Sequence, residues 1–188
     1  MTEIEIPELT LTEAQIDAIT ARRLESLKGV DHIPYDIYRA MMHMAVRFTV
    51  YLAIIKPNNS GPEVLLTQRP ADDEDIPNQW HIPGVGVKHK DPVTHIYDND
   101  AALSRIMTSE VGGDLEIGQP VILGTVRRVG HEFSEVTSQY WAPVLGGEQG
   151  DGQFFNMRDV VAHPPEGGLV MTHDNTIQRV TAAYESLG

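Results

Sequence analysis

The residues with the clearest chemical potential lie between Trp80 and Gly113. Trp80-His81-Ile82-Pro83-Gly84-Val85-Gly86 reads as a strand end running into a glycine-rich loop. Pro83 withholds a backbone donor, and Gly84 and Gly86 permit close approach by a ligand. Ala101 to Gly113 reads as a helix that carries Arg105 and Glu110 and stops at Gly112-Gly113. Asp98 is the expected N-cap, and Asp100 adds negative charge to the first turn. A loop followed by a helix can set helix carboxylates beside backbone that approaches a phosphate.

The flanking sequence must position these groups. Arg47–Lys56 and Glu63–Arg69 are rich in β-branched and aromatic residues, and the turn at residues 57–62 makes them a hairpin. Val121–Val129 and Ser134–Leu145 read as two more strands around a turn at Gly130–Phe133. Arg127, Arg128, His131, Glu132 and Glu135 lie at or near their ends, where alternation turns some toward a shared cleft. A helix from Thr172 or Asp174 to Ser186 closes the chain, with Ile177, Val180 and Tyr184 on one face. Near the N-terminus, Thr12-Glu13-Ala14-Gln15 has capping-box form before a helix ending at Gly29. Pro34 opens a second helix through Tyr38, Met41, Met42 and Met44, whose side chains suit packing or a homodimer contact.

Trp-x-x-Pro-Gly followed by Ala-Ala-x-x-Arg-x-x-x-x-Glu-x-Gly resembles the Nudix hydrolase family, and the resemblance extends over roughly residues 46–185. The family's box is G-x5-E-x7-R-E-U-x-E-E-x-G-U, where U is bulky and aliphatic. Arg105, Met107, Glu110 and Gly112 match it. Ile106 and Ser109 stand where the family has glutamates, Tyr97 stands at the upstream glutamate, and Val85 at the first glycine. The resemblance implies an α/β/α sandwich around a mixed β-sheet, forming a Nudix-like domain over residues 46–188. Residues 1–45 are then an N-terminal helical extension.

The resemblance also implies a function: hydrolysis of a phosphoanhydride bond in a nucleoside-diphosphate-linked small molecule, with Mg2+ or Mn2+. Glu110 would bind the metal, and Glu148 or Asp151, in the acidic loop before Phe154-Phe155, would complete the site or act as base. Arg105 would orient a helix carboxylate, and Arg69 would lie near the substrate, as would Arg127. Mg2+ takes six oxygen ligands, and helix positions three and four apart are neighbours. Positions 106, 109 and 110 form that face and hold one carboxylate of three. Loss of the other two favours a second reading, a Nudix-fold protein that binds a nucleotide-like ligand or a partner protein without catalysis. A third reading relocates the metal site to His89, Asp91 and His95, in the polar stretch before the helix.

Composition narrows the partners. A formal charge of −13 repels nucleic-acid backbones and anionic membranes, so neither is an expected partner. The absence of cysteine excludes disulfides, thiolate metal sites and cysteine nucleophiles. No apolar run reaches membrane-spanning length, and the expected location is cytoplasmic. The acidic loop at residues 70–79 reads as solvated.

Overall fold

A computed structural model describes residue 22 and residues 46–87, 99–129, 134–170 and 173–186. The chain divides into two compact units, Met1–Met41 and Met42–Gly188. Apart from Arg22, the expected N-terminal helices and the dimer contact built on them fall outside the described residues. So do Asp98, the Lys88–Asp98 cluster with His89, Asp91 and His95, and the turn at 130–133.

The second unit is built on one eight-stranded mixed sheet. Its strands are β1 (Val46–Lys56), β2 (Glu63–Gln68), β3 (Trp80–His81), β4 (Gly84–Gly86), β5 (Glu116–Ile117), β6 (Val121–Val129), β7 (Ser134–Gly146) and β8 (Gln153–Asn156). β1 and β7 pair in parallel over ten residues, and the other pairings are antiparallel. β1 is central and covered on both faces, which explains its nearly continuous apolar sequence. Val50, Leu52 and Ile54 face one side, while Ala53 and Ile55 face the other.

Helices lie on both faces. α1 (Asp100–Arg105) continues into a π-helical turn, Ile106–Val111, and packs on the first face through Leu103, Ile106 and Val111. α2 (Met157–Ala162) and α3 (His173–Glu185) pack on the second through Met157, Val160, Ile177 and Val180. Burying each such aliphatic side chain contributes about 1.5–3 kcal/mol. The architecture is the expected α/β/α sandwich.

Three local expectations need correction. Gly84–Gly86 is not a loop but strand β4, paired with Thr49–Tyr51 of β1. A Cβ at Gly84 would collide with the Tyr51 ring, so packing between strands requires that glycine. The single helix is an α segment followed by a π turn, closed by the Gly112 amide donating to the Met107 carbonyl, five residues back, at 3.0 Å. Its N-cap is Asn99, whose side-chain amide donates to the Tyr140 hydroxyl at 3.1 Å and makes no cap bond. The expected stop holds: Gly112 and Gly113 have φ of 61° and 68°.

Candidate functional site

The π turn decides which side chains reach the cleft. Hydrogen bonds closing over five residues make the turn wider than an α turn, so positions five apart come into line. Ile106 and Val111 are so aligned, and both are completely buried in the core. Ser109 faces outward and donates its hydroxyl to the Arg105 carbonyl at 2.7 Å. Glu110 lies between these directions and is half-buried. Positions 106, 109 and 110 therefore do not form the single face expected of an α-helix. Ile106, three and four residues after the buried Leu103 and Ala102, continues their face into the sheet.

Glu110 lies within the field of Arg69, the residue that follows β2. Burial raises its pKa, and the field of Arg69 partly opposes the shift. Arg69 is itself held by the loop that follows it. Its Nε donates to Asp73 Oδ2 at 2.9 Å, and a second guanidinium nitrogen reaches the same oxygen. Asp73 Oδ1 accepts the Ile76 and Asp75 amides at 2.8 and 3.1 Å. Burial raises the Asp73 pKa, but the Ile76 amide, the Arg69 guanidinium and the Asp75 amide together carry it below the usual value. Asp72, Glu74 and Asp75 are exposed as expected of a solvated loop; Asp73 is the exception.

Arg105 sits at the other end of the helical segment. One guanidinium nitrogen donates to the Gly86 carbonyl at 2.9 Å and another to the Ala101 carbonyl at 3.5 Å. It thereby ties α1 to β4. A Cβ at Gly86 would make only ordinary van der Waals contact, with the Phe48 carbonyl, unlike one at Gly84. The loop carrying Glu148 and Asp151 folds onto the end of the π turn. The Asp114 amide donates to the Glu148 carbonyl at 3.0 Å, and the Asp151 amide to the Val111 carbonyl at 2.7 Å. Both acidic side chains are exposed. Arg127 is exposed on β6, and β7 and β1 lie between that strand and β2, which ends just before Arg69.

Sequence reasoning passed over a buried histidine pair behind this site. His81 Nδ1 donates to the Ile82 carbonyl at 3.0 Å, leaving Nε2 to accept the Thr67 hydroxyl at 3.1 Å. Burial lowers the His81 pKa to about 4, so the ring is neutral at physiological pH. His173 Nδ1 accepts the Ile82 amide at 2.9 Å, and the two rings lie 6.3 Å apart. Glu135 was read as one of several strand-end polar groups. It is buried and accepts the Thr49 hydroxyl at 2.9 Å. For His81 a signal existed in the pairing of Thr67 with His81, but it depends on a register that only folding supplies.

Comparison with solved structures places this arrangement. The NUDIX domain of Shewanella oneidensis NrtR, solved with ADP ribose, matches 95% of this chain and 100% of its own, with a TM-score of 0.57 and 18% identity. A MutT NUDIX hydrolase from Burkholderia pseudomallei matches 73% of this chain and 99% of its own, with a TM-score of 0.54 and 20% identity. A NUDIX hydrolase from Alicyclobacillus acidocaldarius covers 73% and 92%, with a TM-score of 0.56 and 15% identity. The chain has the Nudix fold. No protein-family model matches the sequence, and no curated protein is similar to it.

The Nudix fold implies a divalent metal, so the donors can be tested against one. Mg2+ takes octahedral oxygen ligation, with carboxylates supplying part of it. Among the described residues no three His, Asp or Glu side chains gather into a group able to hold a metal ion. Beyond its first turn the helical segment offers Glu110 alone, because Ile106 is in the core and Ser109 is turned to the Arg105 carbonyl. The described donors do not make up a fitting Mg2+ or Mn2+ site. No helix among the described residues is long and apolar enough to cross a membrane.

Proposed function

We propose that this Nudix-fold chain is a receptor for a nucleoside-diphosphate-linked small molecule, held between the helical segment, β4 and the end of β2. The observation that carries the reading is the complete burial of Ile106, which removes one carboxylate position of the expected metal-binding face from the cleft. The ligand class is supported by the ADP ribose bound to the NrtR domain, whose whole length this chain matches. Fold alone does not fix function, so the residues must carry the rest. Arg105, anchored on the Gly86 carbonyl, and Arg69, anchored on Asp73, set two cations at opposite ends of the segment that bears Glu110. Fixed guanidinium groups suit phosphate oxygens, because their donors need no further ordering. Glu110 supplies an acceptor for a ribose hydroxyl. With a net charge of −13, such local cations favour a small anion over a nucleic-acid polymer.

A second reading, phosphoanhydride hydrolysis, is favoured by one observation. The raised pKa of Glu110 moves it toward the range of a general base, which could draw a proton from an attacking water. In that reading Mg2+ or Mn2+ is the expected cofactor, and Glu148 and Asp151 are the expected helpers.

One experiment separates the two. ADP ribose is titrated by calorimetry with chelator, Mg2+ or Mn2+, and product release is followed in the same samples. The receptor reading expects saturable binding that chelator leaves unchanged, weakened by Arg105→Ala, with no turnover. Metal-dependent turnover lost in Glu110→Gln would replace it with the hydrolase. Absence of binding in every condition would remove both for this ligand.

A further inference from the structure

A second cleft opens on the face of the sheet opposite Glu110. Adjacent residues of a strand point to opposite faces. Thr67 and His81 are register partners, and so are Gln68 and Trp80, one residue on. Leu65, two residues before Thr67, packs with Ile106 and Val111 of the π turn; Leu66, Trp80 and Phe155 pack with the core beneath α2 and α3. The cleft measures about 640 Å3 and is lined by Gln68, Asn78, Trp80, Gln153, Phe155 and Glu166, among others. That volume lies within the range of small-molecule sites.

Its floor is rigid. The Trp80 indole Nε1 donates to the Glu166 carbonyl at 3.0 Å, and the ring packs edge-on against Phe155 with centroids 5.0 Å apart. The Trp80 backbone is held by the Gly168 carbonyl at 2.8 Å and the Val170 amide at 2.9 Å. Around this floor stand three amide side chains. Gln68 Nε2 donates to the Asn78 carbonyl at 2.9 Å, which leaves its oxygen as an acceptor. Gln153 is exposed on β8, and its amide makes no protein hydrogen bond among the described residues. Asn78 is the single described non-glycine residue with positive φ, at 59°. A Cβ at Gly167 would strike its carbonyl, so the two backbones approach closely on the rim.

We propose that this cleft binds the purine base of a free nucleoside. An indole tied through Nε1 to the Glu166 carbonyl offers a stacking surface, and a carboxamide presents the donor and acceptor that match the edge of adenine. Among the described residues no Lys or Arg lines the cleft, which suits the neutral end of a nucleoside better than a phosphate. Glu166, exposed on the rim, is placed to accept from a sugar hydroxyl. The site stands apart from the Glu110 cleft and does not rest on the function proposed for it.

The chain contains two tryptophans, so the wild-type protein gives two indole N–H signals in a 15N-resolved spectrum. Trp141→Phe assigns them. Adenosine, with ribose as control, is titrated into wild type, Gln153→Leu and Gln68→Leu. The expected result is a saturable shift of the Trp80 signal with adenosine, none with ribose, and roughly tenfold weaker binding in Gln153→Leu. A Trp80 signal unmoved at millimolar adenosine overturns the inference, as does equal affinity in both leucine variants and wild type. If Trp141→Phe fails to fold, Trp80→Phe assigns the same two signals. Adenosine carries no diphosphate, so failure here leaves the reading of the Glu110 cleft standing. ADP ribose carries the same nucleoside end, so its binding belongs to the Glu110 cleft where Arg105→Ala weakens it and Gln153→Leu does not.

Discussion

The charge of Arg69 reaches the Glu110 carboxyl, but the Arg69 guanidinium is fastened to Asp73. The carboxyl of Glu110 therefore feels a cation that does not neutralise it through contact. Burial dominates, and its pKa lies above the ordinary glutamate value.

That shift makes stability depend on pH in a definite direction. A carboxyl whose folded pKa is raised binds its proton more tightly in the folded state, so the folded protein loses stability as pH rises above the unfolded glutamate value. Glu110→Gln removes the effect. The variant should melt higher than wild type at pH 7 and alike at pH 4, by differential scanning calorimetry. Equal melting at both values would mean that the carboxyl is solvated.

Ile106 is the position where a simple repair of the box fails. Replacing it with glutamate sets a carboxylate among Leu52, Leu103 and Val111 rather than in the cleft. We expect Ile106→Glu to cost at least about 3 kcal/mol. Ser109→Glu, on an exposed position, should cost less than about 1 kcal/mol. Urea unfolding of the two variants checks the contrast; similar midpoints would show that Ile106 can turn outward.

His81 should make the protein acid-sensitive well above the carboxylate range. Its folded pKa of about 4 lies below the ordinary 6.5, so between these values the unfolded chain takes up a proton that the folded chain refuses. Stability is then fully present above pH 6.5 and falls progressively toward pH 4, by about 3 kcal/mol in total. His81→Gln should flatten this part of the pH profile, measured by chemical unfolding at several pH values. An unchanged slope would assign the acid lability elsewhere.

Asp73 holds two backbone amides and Arg69 at once. Asp73→Ala leaves those donors without their acceptor and should cost about 1–3 kcal/mol. Asp73→Asn keeps an oxygen for the Ile76 and Asp75 amides and loses chiefly the charge on Arg69, so it should lose less. Thermal melts of both variants test the order; Asp73→Asn as damaging as Asp73→Ala would give the Arg69 contact the larger part.

The sequence by itself determined the layers. The apolar runs at 47–56 and 63–69, the paired strands after Val121 and the amphipathic closing helix all lie where expected, because hydrophobic periodicity is a local property of the chain. It also determined that Glu110 is the one carboxylate of its helical segment beyond the first turn, and that the segment ends at Gly112-Gly113. Tertiary structure decided the rest. The π turn after Arg105 cannot be read from side-chain types, yet it brings Val111 into line with Ile106, which packs in the core rather than at the expected cleft position. Gly84 was read as room for a ligand, and it is instead room for the Tyr51 ring, a neighbour set by strand register. Asp73 stood in a row of four acids, and only the fold of its loop singled it out to hold Arg69. Composition and spacing give each residue its chemistry. Which way a side chain points, and what lies opposite, depends on contacts between segments far apart in the chain.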